Sequence, residues 1–566
     1  MPKRPKTAEV APELTVLEDW TPLGRSLEYR LAQVAWLDNG AALLLDGELP
    51  TASHDSGTVA SHGAQLLLAW CAERAAAGDL PDEIVVVELG MGTGAHLRGL
   101  LAAFRRLALA QGADWYARLV VFATDVSPSV VQLAVDRQVF AAHGPRVRVG
   151  AMDARAPGLF REHGTASEFD LRGQIHALWA QYVLDALPVD VYRKTPETWE
   201  IVALRTLVPD PPAWTAATQL AVADGQALAA DGGLAAAQRL AAGQLQTTVE
   251  VRTLPFALDA HPDAAELERA AAAQVAALGA GHPLVADGVV LHHPVGALRV
   301  LPLWRAALAA DGFAVLRDVG LLTPEIAAEA RLPQRFGRTL AMPLSFVQLD
   351  GWHAAHAADA VWLAPAADGL RDHGTRLLAQ TASPALRAQF SALFAGSALA
   401  QGHALVAVAR AATEPAASLE AWRQAALAEP DDWLILQEAA ESALAWRQWP
   451  LALAIAARGL ELNPVTAPAL WRLAGTAHAL LGEVVEAELA LRQGLAIAPT
   501  DAGLHLALAR LAADLGELPT ALRHLGEALA GDRLGAWRDT ALALLDATLR
   551  ADAARRQSEA AAWQAR

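Results

Sequence analysis

The sequence predicts an α/β domain with a doubly wound parallel sheet, followed by an all-α region of repeated helix pairs. Apolar, β-branched runs alternate with helical stretches from about Asp82 to Lys194, as in "EIVVVEL", "RLVVFATD" and "QIHALWAQY". Such alternation is typical of right-handed crossovers in a parallel sheet. After about Ala385 the strand signals stop and a 34-residue period begins. A chain of 566 residues also exceeds what one ordinary core supports.

The composition favours a helix-rich globular protein and excludes several classes of partner. Hydrophobic residues make up 54% of the chain and aromatic residues 6%, and the formal net charge is −17 at pH 7. An acidic chain is poorly suited to nucleic acid or anionic membranes, so we expect neither as a partner. Cys71 is the single cysteine, which leaves no disulfide framework and fits a reducing cytoplasm. No apolar run reaches the ~18 residues of a membrane span, and the N-terminus lacks the apolar core of a signal peptide.

The C-terminal period is carried by three sets of markers in phase. The turn dipeptides Glu429-Pro430, Asn463-Pro464 and Ala498-Pro499 are 34 and 35 residues apart. The same period relates Gln448, Gly482 and Gly516, and likewise Ala452, Ala487 and Ala521. This pattern resembles the tetratricopeptide repeat, whose helix pairs stack into a solenoid with a concave face. We predict units at about 431–464, 465–499 and 500–533, with helices before them and a capping helix after; a plain helical bundle is the alternative.

A glycine-rich turn follows the first strand, in "VVVELGMGTGAHLRGLL" (85–101). It has no Lys-Ser/Thr after the last glycine, which excludes a phosphate-binding P-loop. Its glycines alternate, so the third comes too early for the dinucleotide fingerprint. What remains is a G-x-G-x-G turn with Glu88 two positions before the first glycine. A turn that is merely softened by glycine is the alternative.

This turn resembles motif I of the class I S-adenosylmethionine-dependent methyltransferases. The resemblance implies that the glycines let the backbone approach the cofactor, while Glu88 neutralises its ammonium group through ordered water or the backbone. It also implies that Asp125, after the second strand, binds the ribose hydroxyls and that Asp153, after the third, meets the adenine amine. Turn or cap aspartates are the alternative for each. The predicted cofactor-binding residues are Glu88, Gly90, Gly92, Gly94, Asp125, Val126, Asp153 and Ala154.

The fourth strand resembles that of a narrower family. "LRGQIHALWAQYVLDALPVDVYRK" is similar to the signature of the MidA-like methyltransferases, which include a mitochondrial complex I assembly factor associated with arginine methylation. Where that family has Asn-Glu, this chain has Gln181 and Tyr182, which removes the expected carboxylate partner of a guanidinium. Asp185 either orients an amine or guanidinium or only fixes the loop. We therefore predict Asp185, Tyr182 and Gln181 as catalytic residues.

These signals divide the chain into four parts. Residues 1–80 form a helical and loop region closing over the cofactor, and 81–350 form the methyltransferase domain with a helical insertion at about 200–300. Two possible strands, "WEIVALRTLV" and "DGVVLHHPVG", interrupt this insertion. Residues 351–390 form a linker or helical transition, and 391–566 form the repeats. Within the first part, "TASHDSGTVASH" reads as a loop over the cofactor rather than a metal site, so we expect no metal.

The leading hypothesis is a methyltransferase that modifies a protein or peptide recruited by the repeats. One alternative is a scaffold or assembly factor that acts through the repeats alone. The other is a methyltransferase for a small molecule or a carrier-bound acceptor.

Overall fold

The structure is a computed structural model that describes residues 14–45, 57–329, 331, 333–365, 373–532 and 535–564. The strands are β1 Thr15–Pro22, β2 Ile84–Leu89, β3 Leu119–Asp125, β4 Val147–Ala151, β5 Leu159–Glu162, β6 Glu168–Asp170, β7 Ile175–Gln181, β8 Asp190–Lys194, β9 Trp199–Val208, β10 Thr248–Phe256, β11 Val289–His293, β12 Leu308–Leu321, β13 Gln334–Phe336, β14 Thr339–Ala341, β15 Leu344–Ser345, β16 Val361–Leu363 and β17 His373–Ala379.

The helices fall into those of the N-terminal domain and those of the C-terminal region. The first group is α1 Leu27–Leu45, α2 Gly57–Ala77, α3 Ala95–Ala110, α4 Pro128–Asp136, α5 Pro211–Thr218, α6 Val222–Asp231, α7 Leu234–Leu240, α8 Ala264–Leu278, α9 Pro283–Ala286, α10 Val295–Ala307, α11 Pro324–Ala328, α12 Phe346–His356 and α13 Pro384–Leu393. The second group is α14 Gly396–Ala411, α15 Pro415–Ala428, α16 Trp433–Ala445, α17 Trp449–Leu462, α18 Pro468–Leu481, α19 Val484–Ile497, α20 Ala502–Asp514, α21 Leu518–Gly531 and α22 Arg538–Gln564.

The main sheet confirms the predicted doubly wound α/β fold. Its order is β16-β17-β12-β7-β2-β3-β4-β5-β6, and β12, β7, β2, β3 and β4 run parallel. Apolar helix faces cover both sides, with α2 and α3 on one face and α10 and α12 on the other. The strand order reverses between β2 and β7, and ligands of such sheets bind beyond the carboxyl ends of the strands at this switch point.

A second, antiparallel sheet contains both of the possible strands that interrupt the predicted insertion. Its order is β1-β9-β8-β11, with β10 also paired to β9. β9 and β11 are those two strands, β10 is a third that the sequence did not indicate, and helices α5 to α9 make up the helical part of the insertion. The N-terminal region, predicted to be helix and loop, contributes β1 to this sheet, where Thr15 pairs with Val208.

The segment at 351–390 is not a linker, which corrects that part of the prediction, and its helical part is the end of α12 and the start of α13. It contains β17, which pairs antiparallel with β12 from Phe313–Ala379 to Val319–His373, and β16, which pairs with β17. The stretch before it contains a hairpin, in which β13 and β14 pair antiparallel. The main sheet therefore ends only just before the helical region begins.

The C-terminal helices stack as pairs, as the period predicts. The pairs are α16 with α17, α18 with α19 and α20 with α21, and the first helix of each pair also packs against the first helix of the next. Helices α14 and α15 form a further pair before them, and α22 caps the end. The periodic alanines Ala452, Ala487 and Ala521 are buried in the contacts between helices. Stacking of first helix on first helix is the arrangement of a solenoid and not of a plain bundle.

One edge of the solenoid docks onto the α/β domain. This docking edge consists of Glu429, Asp431, Leu462, Val465 and Ile497, which lie at the ends of α15, α17 and α19. Arginines and a threonine of the α/β domain contact it; they are Thr58 on α2, Arg98 and Arg106 on α3, and Arg137 after α4. The repeats are thus attached to the helices that follow the glycine turn and the second parallel strand.

Candidate active site

The glycine turn joins β2 to α3 at the switch point of the sheet. Gly90 and Gly92 have φ angles of +66° and +52°, in the left-handed region that favours glycine. The Met91 N–H donates to the Thr124 carbonyl at 2.8 Å and ties the turn to β3. A Cβ added at Gly92 would meet nothing closer than Leu44 at 3.9 Å, so this position faces open space.

Asp125 ends β3 beside the glycine turn. Its carboxylate accepts hydrogen bonds from the Gly92 N–H at 3.3 Å and the Ser127 N–H at 2.9 Å. Burial raises the pKa of Asp125 to about 6, although these bonds favour the ionised form, and the nearby Glu88 adds to the rise. Asp125 is 6% exposed, so at neutral pH this position presents a largely desolvated carboxylate.

Asp153 follows β4 on the far side of Asp125. Its two carboxylate oxygens bind the Arg155 guanidinium through the Nε and Nη2 atoms at 2.8–3.1 Å. Burial alone would raise the pKa of Asp153, but the bonds to Arg155 outweigh it and hold the pKa below the usual value. The next carbonyl, that of Ala154, accepts from the Trp304 indole at 2.6 Å. This strand end is therefore fixed from both sides.

Two of the predicted cofactor residues do not reach the cavity. Glu88 is 3% exposed and its Oε1 lies 2.7 Å from His96 Nδ1, while burial raises its pKa. A ligand ammonium has no direct route to this carboxylate. Gly94 caps the start of α3, where an added Cβ would lie 2.9 Å from the Phe140 ring. Its role is close packing beneath the turn.

Gln181 and Tyr182 stand at the end of β7, opposite the glycine turn. Tyr182 has a φ of +54°, which is uncommon for a bulky residue and typical of functional sites. Its N–H donates to the Arg317 carbonyl at 2.9 Å. Burial raises the pKa of Tyr182 to about 12. The Gln181 amide nitrogen is buried and has no hydrogen-bond partner among the described residues.

Asp185 lies in the loop that follows Tyr182 and is held from two directions. From helix α1, the Tyr29 hydroxyl donates to the Ala186 carbonyl at 2.9 Å. From β12, the Asp318 Oδ2 atom accepts the N–H of Asp185 at 3.2 Å and that of Leu184 at 2.9 Å. The sequence prediction did not include Asp318, which no motif marks.

These strand ends surround one cavity of about 220 Å³. Of the predicted residues, the following line it: Gly90, Gly92, Asp125, Val126, Asp153, Ala154, Gln181, Tyr182 and Asp185. The lining also includes residues that the sequence did not single out, namely Gln33, Trp36, Leu37 and Leu44 of α1, Met152, Arg155, Leu234 and 339–341. Helix α1 thus forms a wall of the cavity, where the sequence predicted that the N-terminal region closes over a cofactor.

The remaining features are the loop considered as a metal site and the search for membrane spans. His54 and Asp55, in the loop considered as a metal site, lie outside the described residues. His62 is on α2, and its ring packs edge-on against Phe394. Within the described ranges no group of three or more His, Cys, Asp or Glu is placed to hold a metal, and no helix there has the length and hydropathy of a membrane span.

Comparison with known proteins yields similarities to solved structures. No protein-family profile matches the chain, and no curated protein matches it. The chain is similar to an uncharacterized protein from Burkholderia thailandensis, at 20% identity and a TM-score of 0.36 over 62% of this chain and 74% of that one. It is also similar to a likely methyl transferase from the same organism, which is bound to S-adenosyl-homocysteine. The identity is 18% and the TM-score 0.34, over 62% of this chain and 75% of that one.

A third similarity is to a thermophilic tetratricopeptide-repeat protein of Thermus thermophilus, at 24% identity and a TM-score of 0.24 over 28% of this chain and 89% of that one. At these identities and TM-scores, none of the likenesses bears on the function of this chain.

Proposed function

We propose that this chain is an S-adenosylmethionine-dependent methyltransferase. The observation that carries the proposal is the convergence of four parallel strand ends on one cavity. The turn after β2 supplies Gly90 and Gly92, while β3 and β4 supply Asp125 and Asp153. The end of β7 supplies Gln181 and Tyr182 on the other side of the cavity. No phosphate cradle is present in this turn, which suits a ligand with a ribose and an amino-acid half but no phosphate.

The residues of the cavity fit this cofactor. Gly92 leaves open space where a side chain would stand, and the desolvated Asp125 carboxylate is placed to accept hydrogen bonds from a ribose. Asp153 would meet the adenine amine beside the apolar Met152. The cofactor would supply a methyl group on a positively charged sulfur, activated for displacement. The protein then has to align the acceptor and exclude water, which the walls formed by α1 and the 339–341 hairpin would do.

We propose a protein or peptide as the acceptor. The docking edge holds the solenoid to α3 and α4, so a polypeptide bound by the repeats would be kept near the catalytic domain at a raised effective concentration. In the MidA-like family that the fourth strand resembles, a carboxylate stands where this chain has Tyr182. Asp185 is therefore the acid that we assign to the acceptor side of the cavity.

Calorimetric titration with S-adenosylmethionine tests the proposal. We expect the wild type to bind and Gly92→Arg to bind at least 100-fold more weakly, because the new side chain fills the cavity. Gly112→Arg is the matched control: Gly112 also has a positive φ, of +67°, but nothing lies within 4 Å of its added Cβ. Both variants carry the same backbone strain. No binding by the wild type would contradict the proposal and favour the scaffold alternative.

A further inference from the structure

A second cavity, of about 430 Å³, lies where the solenoid docks on the α/β domain. We propose that this seam cavity binds an oxyanion, which is the phosphate or carboxylate group of a small molecule or of an acidic peptide. The seam cavity shares no lining residue with the candidate active site. The proposal therefore goes beyond the proposed function and does not depend on it.

Both parts of the chain form the walls of the seam cavity. Helices α2 and α3 supply one wall, largely through glycine, alanine and serine residues, whose small size leaves the space open. The solenoid supplies the other through Asp431, Trp433, Glu461 and Leu462. The two walls meet where a Cβ added at Gly57 would lie 1.9 Å from the Asp431 carbonyl oxygen. A ligand in the seam cavity would contact both parts, so the site is complete only while the solenoid is docked.

Cations outnumber acids among the charged side chains of the seam cavity. These are three arginines and two acids, namely Arg98, Arg105, Arg106, Asp431 and Glu461. The Asp431 carboxylate lies 3.4 Å from Arg106 Nη2, and that of Glu461 lies 2.6 Å from Arg458 Nη1 on the same helix. Arg105 has neither a hydrogen bond nor an ion pair within the described part of the chain. Because its guanidinium stands on the wall of a cavity, it is placed to bind an anion that enters.

Arg105 also belongs to a basic cluster. Arg105 and Arg146 both lie over the Tyr116 ring, with guanidinium carbons 5.5 and 4.4 Å from its centroid. The Tyr116 hydroxyl lies 2.7 Å from Nδ1 of His143, which lines the cavity and is 5% exposed. Burial lowers the pKa of His143 to about 4, and the charges of three nearby arginines contribute to the shift. His143 is therefore neutral near pH 7, and the positive potential here comes from arginines in a chain whose formal net charge is −17.

Two buried nitrogen atoms provide an independent indication of a ligand. Trp433 is 7% exposed, and its Nε1 atom, which can only donate, has no hydrogen-bond partner among the described residues. His96 is 5% exposed; its Nδ1 lies 2.7 Å from Glu88 Oε1, and its Nε2 has no partner in that part of the chain either. Buried polar groups in folded proteins are nearly always hydrogen-bonded. Because both side chains line the seam cavity, they favour a ligand that brings hydrogen-bond acceptors.

These groups select the chemistry of the ligand. A guanidinium binds carboxylate and phosphate oxygens through parallel N–H donors, and an indole N–H adds a neutral donor to an oxygen. A positively charged ligand would meet the arginines while both acids are already paired. The volume falls in the range of about 300–1,000 Å³ that is typical of small-molecule sites, which is more than a single inorganic ion needs. The oxyanion is therefore part of a larger molecule.

Calorimetric titration of the full-length protein tests the proposal with two probes, tripolyphosphate and a hexaglutamate peptide. We expect at least one probe to bind the wild type and Arg105→Ala to bind it at least tenfold more weakly, because a charge-assisted contact is lost. Arg252→Ala is the matched control and should bind within twofold of the wild type. Arg252 is also exposed and lies over an aromatic ring, with its guanidinium carbon 6.0 Å from the centroid of Trp20, but it does not line the seam cavity.

Trp433→Phe tests the buried indole donor. The substitution keeps an aromatic ring and removes Nε1, so affinity for the probe should fall at least threefold. Trp422→Phe is its control, because the Trp422 Nε1 donates to Ser442 Oγ at 2.9 Å and Trp422 does not line the seam cavity. This control should bind the probe as the wild type does. It should also lower the melting temperature more than Trp433→Phe, because only the control breaks a hydrogen bond of the free protein.

The two probes distinguish the source of the oxyanion. Binding of tripolyphosphate alone would assign the site to a free phosphorylated molecule, and binding of hexaglutamate alone to an acidic polypeptide; either result, or binding of both, supports an oxyanion site. The proposal is overturned if the wild type binds neither probe, or if Arg252→Ala weakens binding as much as Arg105→Ala. Affinity for S-adenosylmethionine should be the same in Arg105→Ala and in the wild type. A wild type that does not bind this cofactor would contradict the proposed function and leave the test of the seam cavity intact.

Discussion

At the scale of single residues, Asp125 has opposite effects on folding and on the proposed binding. Its pKa is raised to about 6, so its ionisation weakens folding as pH rises from about 4 through 6. A ribose needs the ionised form as a hydrogen-bond acceptor. We therefore predict that affinity for S-adenosylmethionine falls about fourfold from pH 7.5 to 5.5, because only about a quarter of the sites are then ionised. Calorimetry at the two pH values measures this.

The control for this prediction is Asp125→Asn. It should bind the cofactor at least tenfold more weakly and without this pH dependence. Asp185 also has a pKa of about 6, and it is the group that could imitate the effect. A pH dependence that survives in Asp125→Asn would assign the titration to Asp185 and contradict the prediction.

The candidate site was predictable where its residues follow consecutive strands. Gly92, Asp125 and Asp153 come directly after apolar runs, and the carboxyl ends of parallel strands meet at one edge, so their convergence follows from the sequence alone. Asp318 was not predictable in this way, because it is 134 residues away from the Leu184 N–H that it accepts. The cavity residue Trp36 belongs to a helix that no motif marks. Long-range pairing, which only the folded chain reveals, completes the site.

At the scale of elements, the second helix of each repeat depends on small residues at its contacts. Ala487 on α19 is fully buried and belongs to the periodic alanine set. Replacing it with leucine adds volume to a filled contact. We predict that Ala487→Leu lowers the free energy of unfolding by about 1–3 kcal/mol. Urea unfolding followed by circular dichroism measures the change.

Val485→Leu is the control for this substitution. Val485 lies two residues away on the same helix and is 75% exposed, so the added volume meets solvent. We expect a change within about 0.5 kcal/mol. Equal destabilisation by both variants would mean that the substitutions weaken the helix itself and not its packing against neighbouring helices.

The elements that the sequence missed are those with weak local signals. The repeats were predictable because a 34-residue period repeats the same turn and the same small residues. Strand β16 has three residues, and β1 and β17 pair with strands remote in sequence, so neither shows the alternation with helices that marks the parallel core. The 351–390 segment therefore resembled a linker. Edge strands are defined by their partners more than by their own residues.

At the scale of the whole molecule, the two parts are joined by arginines that meet helix ends. The Arg98 Nη2 atom donates to the Leu462 carbonyl at 2.5 Å, and Arg137 donates to the carbonyls of Val465 and Ile497. Leu462 and Ile497 are the last residues of α17 and α19. Helix C-terminal ends carry partial negative charge, so a guanidinium is well matched to them. Because successive repeats present the same carbonyl end, the period of the solenoid also spaces these contacts.

The double variant Arg98→Ala/Arg137→Ala should uncouple the solenoid from the α/β domain. Hydrogen bonds from charged groups contribute about 1.5–3 kcal/mol each, so their loss leaves a weaker interface between the solenoid and the α/β domain. We expect scanning calorimetry to resolve two unfolding transitions, of which S-adenosylmethionine raises only one. Arg161→Ala is the control, because Arg161 is exposed and pairs with Glu168, away from the repeats.

If the repeats recruit the acceptor, labelling of lysate protein should also fall in the double variant while cofactor affinity stays unchanged. A single transition, together with wild-type labelling, would show that these arginines do not couple the repeats to the cavity.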